Sequence, residues 1–119
     1  MTSEKLKAMP FGKVYPCLVA KAERKGRSRE EVDTLTSWLT GYPADEIHCM
    51  ETDGTTYGEV MASPYWSEDG EKIRGSICGV RVETIEDPFM RRVRELDKVI
   101  DELAKGKSTE TIMAGKERG

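Results

Sequence analysis

Residues 87–106 constrain the fold more than any other part of the chain, because both ends of a helix are marked there. Asp87 can accept a hydrogen bond from the free N–H groups of a first turn. Pro88 suits the first helical position, where its missing N–H costs nothing. Phe89, Val93, Leu96, Ile100 and Leu103 then recur at intervals of four and three, which draws one apolar stripe along a helix. Lys105 complements the dipole at the far end and Gly106 supplies a left-handed stop. On the opposite face Arg91 and Glu95, Lys98 and Glu102, and Asp101 and Lys105 stand four apart, and are expected to be solvated pairs. Such a helix needs a core to lie on, and the rest of the chain must supply it.

A chain of 119 residues is the size of one domain and is long enough for a single core. Residues 1–12, ending in Met9-Pro10-Phe11-Gly12, are expected to be a flexible arm. Residues 13–114 should form the globular domain, and residues 115–119 a frayed tail. The pattern predicts a first helix over residues 15–25, with Pro16 near its start, Tyr15, Leu18, Val19 and Ala22 on one face, and Gly26 as the stop. Ser28 and Glu31 make a capping box for a second helix over residues 29–40. That helix should bury Val32, Leu35, Trp38 and Leu39 and end at Gly41. The short connection makes the two a helical hairpin.

The middle is less regular. Pro43 can start a short helical turn through Ile47. Asp53-Gly54 marks a turn, and Thr55 or Thr56 can cap a short helix through Met61 that Pro64 stops. Glu68-Asp69-Gly70 reads as another turn. In residues 73–85, Cys78, Val80 and Val82 alternate among β-branched neighbours, which favours a strand or hairpin. Ile73, Ile77 and Val80 also fit one helical face. Ser108 or Thr109 can cap a last short helix with Ile112 and Met113 turned inward. The fold class expected is therefore α+β but mostly helical: an N-terminal helical hairpin, a short strand or hairpin segment near 73–85, and a long amphipathic C-terminal helix.

Composition narrows the environment. With 37% hydrophobic and 34% charged residues the chain is polar, yet well short of a disordered composition. No apolar run approaches the roughly 20 residues that cross a bilayer, so no membrane contact is expected. The N-terminus lacks the apolar segment of a signal peptide. Cys17, Cys49 and Cys78 are odd in number and isolated, which points to small core thiols in a reducing cytoplasm rather than a disulfide framework. Charge is segregated. Residues 1–29 carry eight Lys or Arg against two Glu, whereas residues 30–71 carry eleven Asp or Glu and no Lys or Arg. These blocks either pair with each other in the fold or leave an acidic surface that steers a basic partner and repels nucleic acid.

The segments VYPCLVAKAERKGRSREEVDTLTSWLTGY (residues 14–42) and GSICGVRVETIEDPFMRRVRELDKVIDELAKGK (residues 75–107) resemble a family of small bacterial proteins known as domain of unknown function 2200. The phrases KAERKGR, WLTGY, CGVRVE, IEDP and LDKVIDELAKGK carry the likeness. The resemblance implies a bacterial, cytoplasmic, helix-rich single domain. It brings no catalytic or ligand residues with it.

Candidate chemistry is sparse. His48 is the single histidine and has no Cys-x-x-Cys or His-x-x-x-His partner, so neither a metal site nor a cofactor is expected. A Cys–His nucleophile pair, Cys17 or Cys78 with His48, needs a proximity that sequence does not give. Gly75 and Gly79 lack the Gly-Lys-Ser/Thr of a phosphate loop and read better as close packing or a strand bend. Lys21, Arg24, Lys25, Arg27 and Arg29 outline a helix-turn-helix. Glu30, Glu31 and Asp33, however, stand where its second helix would meet phosphate, which argues against nucleic acid. Glu83, Glu86, Asp87, Asp97 and Asp101 read as caps and solvated faces, and no catalytic residue is named.

The leading expectation is a helix-rich interaction domain that acts by binding a protein partner or a second copy. Its contact residues would be Tyr57, Tyr65 and Trp66, held stiffly by Pro64 amid acidic side chains. The same rings could instead complete the core. The alternative is a small enzyme or ligand-binding domain with a site between residues 73–85 and the middle loop. A pocket with polar groups turned inward favours the alternative, and a flat apolar patch of several hundred Å² favours a partner surface.

Overall fold

The end signals at Asp87 and Gly106 do produce the long helix, and the other elements are laid around it. The structure, a computed structural model, describes residues 3–67, 76–77 and 80–114. In chain order these form α1 (Ser3–Ala8), α2 (Phe11–Glu23), α3 (Arg29–Thr40), α4 (Ala44–Thr52) and α5 (Tyr57–Met61). Strands β1 (Ser76–Ile77) and β2 (Val80–Arg81) follow, then a 3-10 turn (Val82–Thr84), α6 (Pro88–Ala104) and α7 (Thr109–Ala114). The Asp87 side chain accepts from the Phe89 N–H, and Phe89, Val93, Leu96, Ile100 and Leu103 are all buried. Helices α2, α3, α5 and α7 pack around that stripe.

Local rules place the other boundaries. Ser28 Oγ accepts from the Glu31 N–H while Glu31 returns the bond to the Ser28 N–H at 3.0 Å, so the capping box that starts α3 is complete. Thr56 and Glu59 repeat the device at α5. Helix α3 ends at Gly41, whose φ of +82° is the left-handed geometry that glycine adopts without a Cβ penalty. There the chain must also turn beneath the backbone of Tyr65, since a Cβ on Gly41 would lie 2.4 Å from Tyr65 Cβ.

The described chain is mostly helical, and the sheet half of the α+β expectation does not reach beyond a two-residue antiparallel ladder, Ser76 with Arg81 and Ile77 with Val80. The turn at Glu68-Asp69-Gly70, together with Ile73, Gly75, Cys78, Gly79 and the tail 115–119, lies outside the described residues. No helix among the described residues is long and apolar enough to cross a membrane.

Three expectations give way to tertiary packing. The arm is not loose: α1 docks on α5, the Phe11 N–H donates to Thr55 O at 2.8 Å, the Tyr57 N–H donates to Met9 O at 2.8 Å, and Phe11 is fully buried. Helix α2 therefore begins at Phe11, four residues earlier than Tyr15, and Pro16 lies inside it. Burying Phe11 and Tyr15 offsets the lost hydrogen bond of an internal proline. Helix α4 continues past Ile47 to Thr52 because Met50, one turn on, is buried as well.

A fourth correction concerns the charged face of α6. Glu95 is only 2% exposed, and it accepts from Trp66 Nε1 at 2.9 Å and from Arg91 Nε at 3.2 Å. Glu102 is buried too, paired with Lys107 at 3.3 Å. Asp101 keeps its pair with Lys105, at 3.0 Å. Burial raises the pKa of Glu95 in spite of the Trp66 and Arg91 bonds, and burial likewise raises that of Asp97.

Two measurements follow from this packing. Leu96→Asp should cost several kcal/mol by burying an unpaired charge, and Ser28→Ala about 1 kcal/mol by removing the cap; urea titration should separate them clearly. Glu95→Ala should cost about 1–3 kcal/mol through the orphaned Trp66 N–H rather than the few tenths of a solvated residue. Because its folded pKa is raised, Glu95 contributes most below the unfolded carboxylate range and loses that contribution as pH rises through the folded value. As pH rises above the ordinary carboxylate range the stability difference should therefore move in favour of Glu95→Gln. A difference independent of pH would contradict the burial.

Candidate functional site

Three separate segments enclose the larger of two described clefts, an open space of about 560 Å³ between α1, α5 and the start of α6. Its apolar lining comes from Met61 and Ala62 at the end of α5 and from Pro88 and Phe89 at the start of α6. Lys7 of α1 closes one side. A Cβ on Gly58 would stand 3.0 Å from Lys7 Cβ and 3.1 Å from Lys7 O, so the glycine is what lets α1 approach α5 this closely. The ammonium of Lys7 then lies 5.3 Å from the centroid of the Phe89 ring. Arg92 reaches in from α6, donating through Nη1 to Met61 O at 2.6 Å and to Ser63 O at 3.1 Å, with its guanidinium 4.8 Å from the Trp66 ring centroid.

The polar groups of this cleft are mostly committed. Thr56 and Glu59 satisfy each other's backbone N–H at the start of α5, and Asp87 caps α6. Among the described residues, none that line it is a serine, cysteine or histidine. The middle segment supplies Thr56 to Ala62 of its lining, and among the described residues none of 73–85 lines it, so it is not the site expected between 73–85 and the middle loop. Lys7 and Arg92 lie outside the signals that mark the other walls, the Thr56–Glu59 capping box and Asp87-Pro88, and so went unnamed in the sequence.

A second, polar cleft of about 390 Å³ lies between α3 and α4, lined by Glu30, Asp33, Thr34, Ser37, Ala44 and His48. Asp33, 5% exposed, receives the Tyr15 hydroxyl at 2.6 Å on one oxygen and His48 Nε2 at 2.8 Å on the other. The Tyr15 oxygen is also 3.1 Å from Thr36 Oγ1, and Arg29 stands 3.6 Å from Asp33 while pairing with Glu51. Burial, reinforced by the bond to Asp33, pushes the Tyr15 pKa far up. Asp33 joins Tyr15 of α2 and His48 of α4 to α3, and Arg29 reaches Glu51 of α4, so the cluster is a clasp between α2, α3 and α4. Among the described residues no group of three or more His, Cys, Asp or Glu is placed to hold a metal ion. Cys17 and Cys49 are exposed free thiols, not the core fillers expected.

The three aromatic contact candidates separate. Tyr57 is buried between Phe11 and Phe89 and belongs to the core. Trp66 is half-buried, tied to Glu95 and covered by Arg92. Tyr65 alone projects, 66% exposed, with its ring edge-on to Tyr42 at 6.0 Å. Its backbone is fixed, because the Tyr65 N–H donates to Ser63 Oγ, which donates to Thr40 O at 2.6 Å. The basic cluster of the helical hairpin is largely matched by carboxylates: Lys21 with Asp101, Arg27 with Glu31, and Arg29 with Asp33 and Glu51.

A comparison with curated proteins gives no match. The crystal structure of the uncharacterized protein SP1917 superposes with a TM-score of 0.91 at 43% sequence identity, covering 99% of this chain and 98% of that one. The family described as uncharacterized protein conserved in bacteria (DUF2200) matches residues 5–114, so the likeness runs through residues 43–74 and takes in all three walls of the larger cleft. The chain belongs to this bacterial family of uncharacterized proteins.

Proposed function

We propose that the protein acts by binding, and that it holds a small organic molecule in the cleft between α1, α5 and α6. The cleft itself carries this reading: about 560 Å³ falls within the range of small-molecule sites, roughly 300–1,000 Å³, and apolar walls with a few polar groups at the rim match their chemistry. Turnover is the weaker reading, because the carboxylates at the rim and the Thr56 hydroxyl are engaged in helix caps, and among the described residues no thiol or imidazole lines the space. Cytoplasmic residence suits the exposed thiols of Cys17 and Cys49. Nucleic acid suits the molecule poorly, since the basic hairpin spends its charge on internal carboxylates.

Tyr65 favours a second reading, in which a protein partner or a second copy docks on the Tyr42–Tyr65 pair. An aromatic side chain fixed from behind loses little entropy on binding, and Asp45 and Glu46, exposed at the start of α4, would select a basic partner.

A metabolite screen followed by amide NMR tests the cleft. Ligands should produce saturable shifts at Gly58, Ala62 and Phe89, and Ala62→Leu, which fills the space, should abolish them at an unchanged melting temperature. Shifts confined to Tyr42 and Tyr65, lost in Tyr65→Ala, would transfer the function to the second surface.

A further inference from the structure

We infer that the ligand of this cleft is an organic anion: an apolar body seated on Phe89, Met61 and Ala62, with its carboxylate held by Lys7. The inference rests on the cleft being a ligand site and adds the class of molecule. It follows from how each charge at the rim is matched. Asp87 and Glu59 sit at the N-terminal ends of α6 and α5, where free N–H groups and the helix dipole compensate a carboxylate. Arg92 spends its Nη1 on two carbonyl oxygens and lies over the Trp66 ring. Lys7 differs. Among the described residues no carboxylate lies within ion-pair distance of it, and its sole charge-related contact is the face of Phe89.

That contact compensates little. A cation above a ring at an exposed site gains about 0.5–1 kcal/mol and leaves the three N–H donors of the exposed ammonium to water, from which an anion can take them. The position of Lys7 is nevertheless set. Its stem is clamped against Gly58, where the backbones of α1 and α5 come too close for any larger side chain without a shift. The ammonium is thus poised at the edge of the apolar wall, and an anion entering there meets donors on one side and Phe89 on the other. A neutral molecule of the same shape would gain the wall but not the charge-assisted bonds.

Titration with 4-phenylbutyrate and its neutral amide, 4-phenylbutyramide, followed by amide NMR and calorimetry, decides the point. The carboxylate should bind at least tenfold more tightly than the amide. Lys7→Gln should reduce that preference to less than twofold, and Lys7→Arg should restore most of it. Lys13→Gln, the same charge change outside the cleft, should leave the preference intact, and all variants should keep the wild-type melting temperature. Equal affinity for the two probes, or a preference that survives Lys7→Gln, would overturn the anion assignment while leaving the cleft as a binding site. Absence of saturable shifts at Gly58, Ala62 and Phe89 with either probe would overturn both.

Discussion

The buried carboxylate of Asp33 organises the N-terminal half of the molecule. A charge removed from water must be met by donors, and here they come from three helices: the Tyr15 hydroxyl of α2, Arg29 of α3 itself, and the His48 imidazole of α4. Satisfying it fixes how α2, α3 and α4 lie together. That arrangement turns Phe11 and Tyr15 inward, with the rings stacked at 4.9 Å, and it sets where α4 delivers the chain to Thr55 and Tyr57. Those residues anchor the segment around Pro10, which brings α1 and Lys7 to the cleft. A polar requirement on one side of the protein thereby shapes an apolar site on another.

Charge segregation along the sequence is partly an internal matter. Part of the basic first block closes onto the acidic second through Arg27–Glu31, Arg29–Asp33 and Arg29–Glu51, while Lys21 reaches Asp101 on α6. Most of these pairs are half-exposed and contribute modestly to stability. Their weight lies more in specificity, since each fits one arrangement of α2, α3, α4 and α6.

What the sequence disclosed was what short-range chemistry controls. Ser28 with Glu31, Thr56, and Asp87 followed by Pro88 mark helix starts within four residues of themselves, and the structure begins α3, α5 and α6 there. What stayed hidden depends on partners far along the chain. Phe11 is helical because Thr55 and a core await it, 44 positions away in the sequence. Glu95 looked solvated because its spacing from Arg91 fits an exposed pair; its burial is decided by Trp66, 29 residues upstream. The same holds for the aromatic trio, in which neighbouring Tyr65 and Trp66 differ in fate through their tertiary contacts. The larger cleft is assembled from three segments far apart in the chain; local patterns marked the helix starts at Thr56 and Asp87 but not where these meet Lys7.

The brevity of α1 has a consequence for how the cleft would exchange its contents. Six residues are too few for a helix to persist in water, so α1 exists only while it is docked. One wall of the cleft is therefore held by its packing alone, and its release would open the site. Any occupant that engages Lys7 draws on the same equilibrium that keeps α1 in place. Occupancy and the ordering of the N-terminus become a single thermodynamic event, and amide-hydrogen exchange along residues 4–10 would record it.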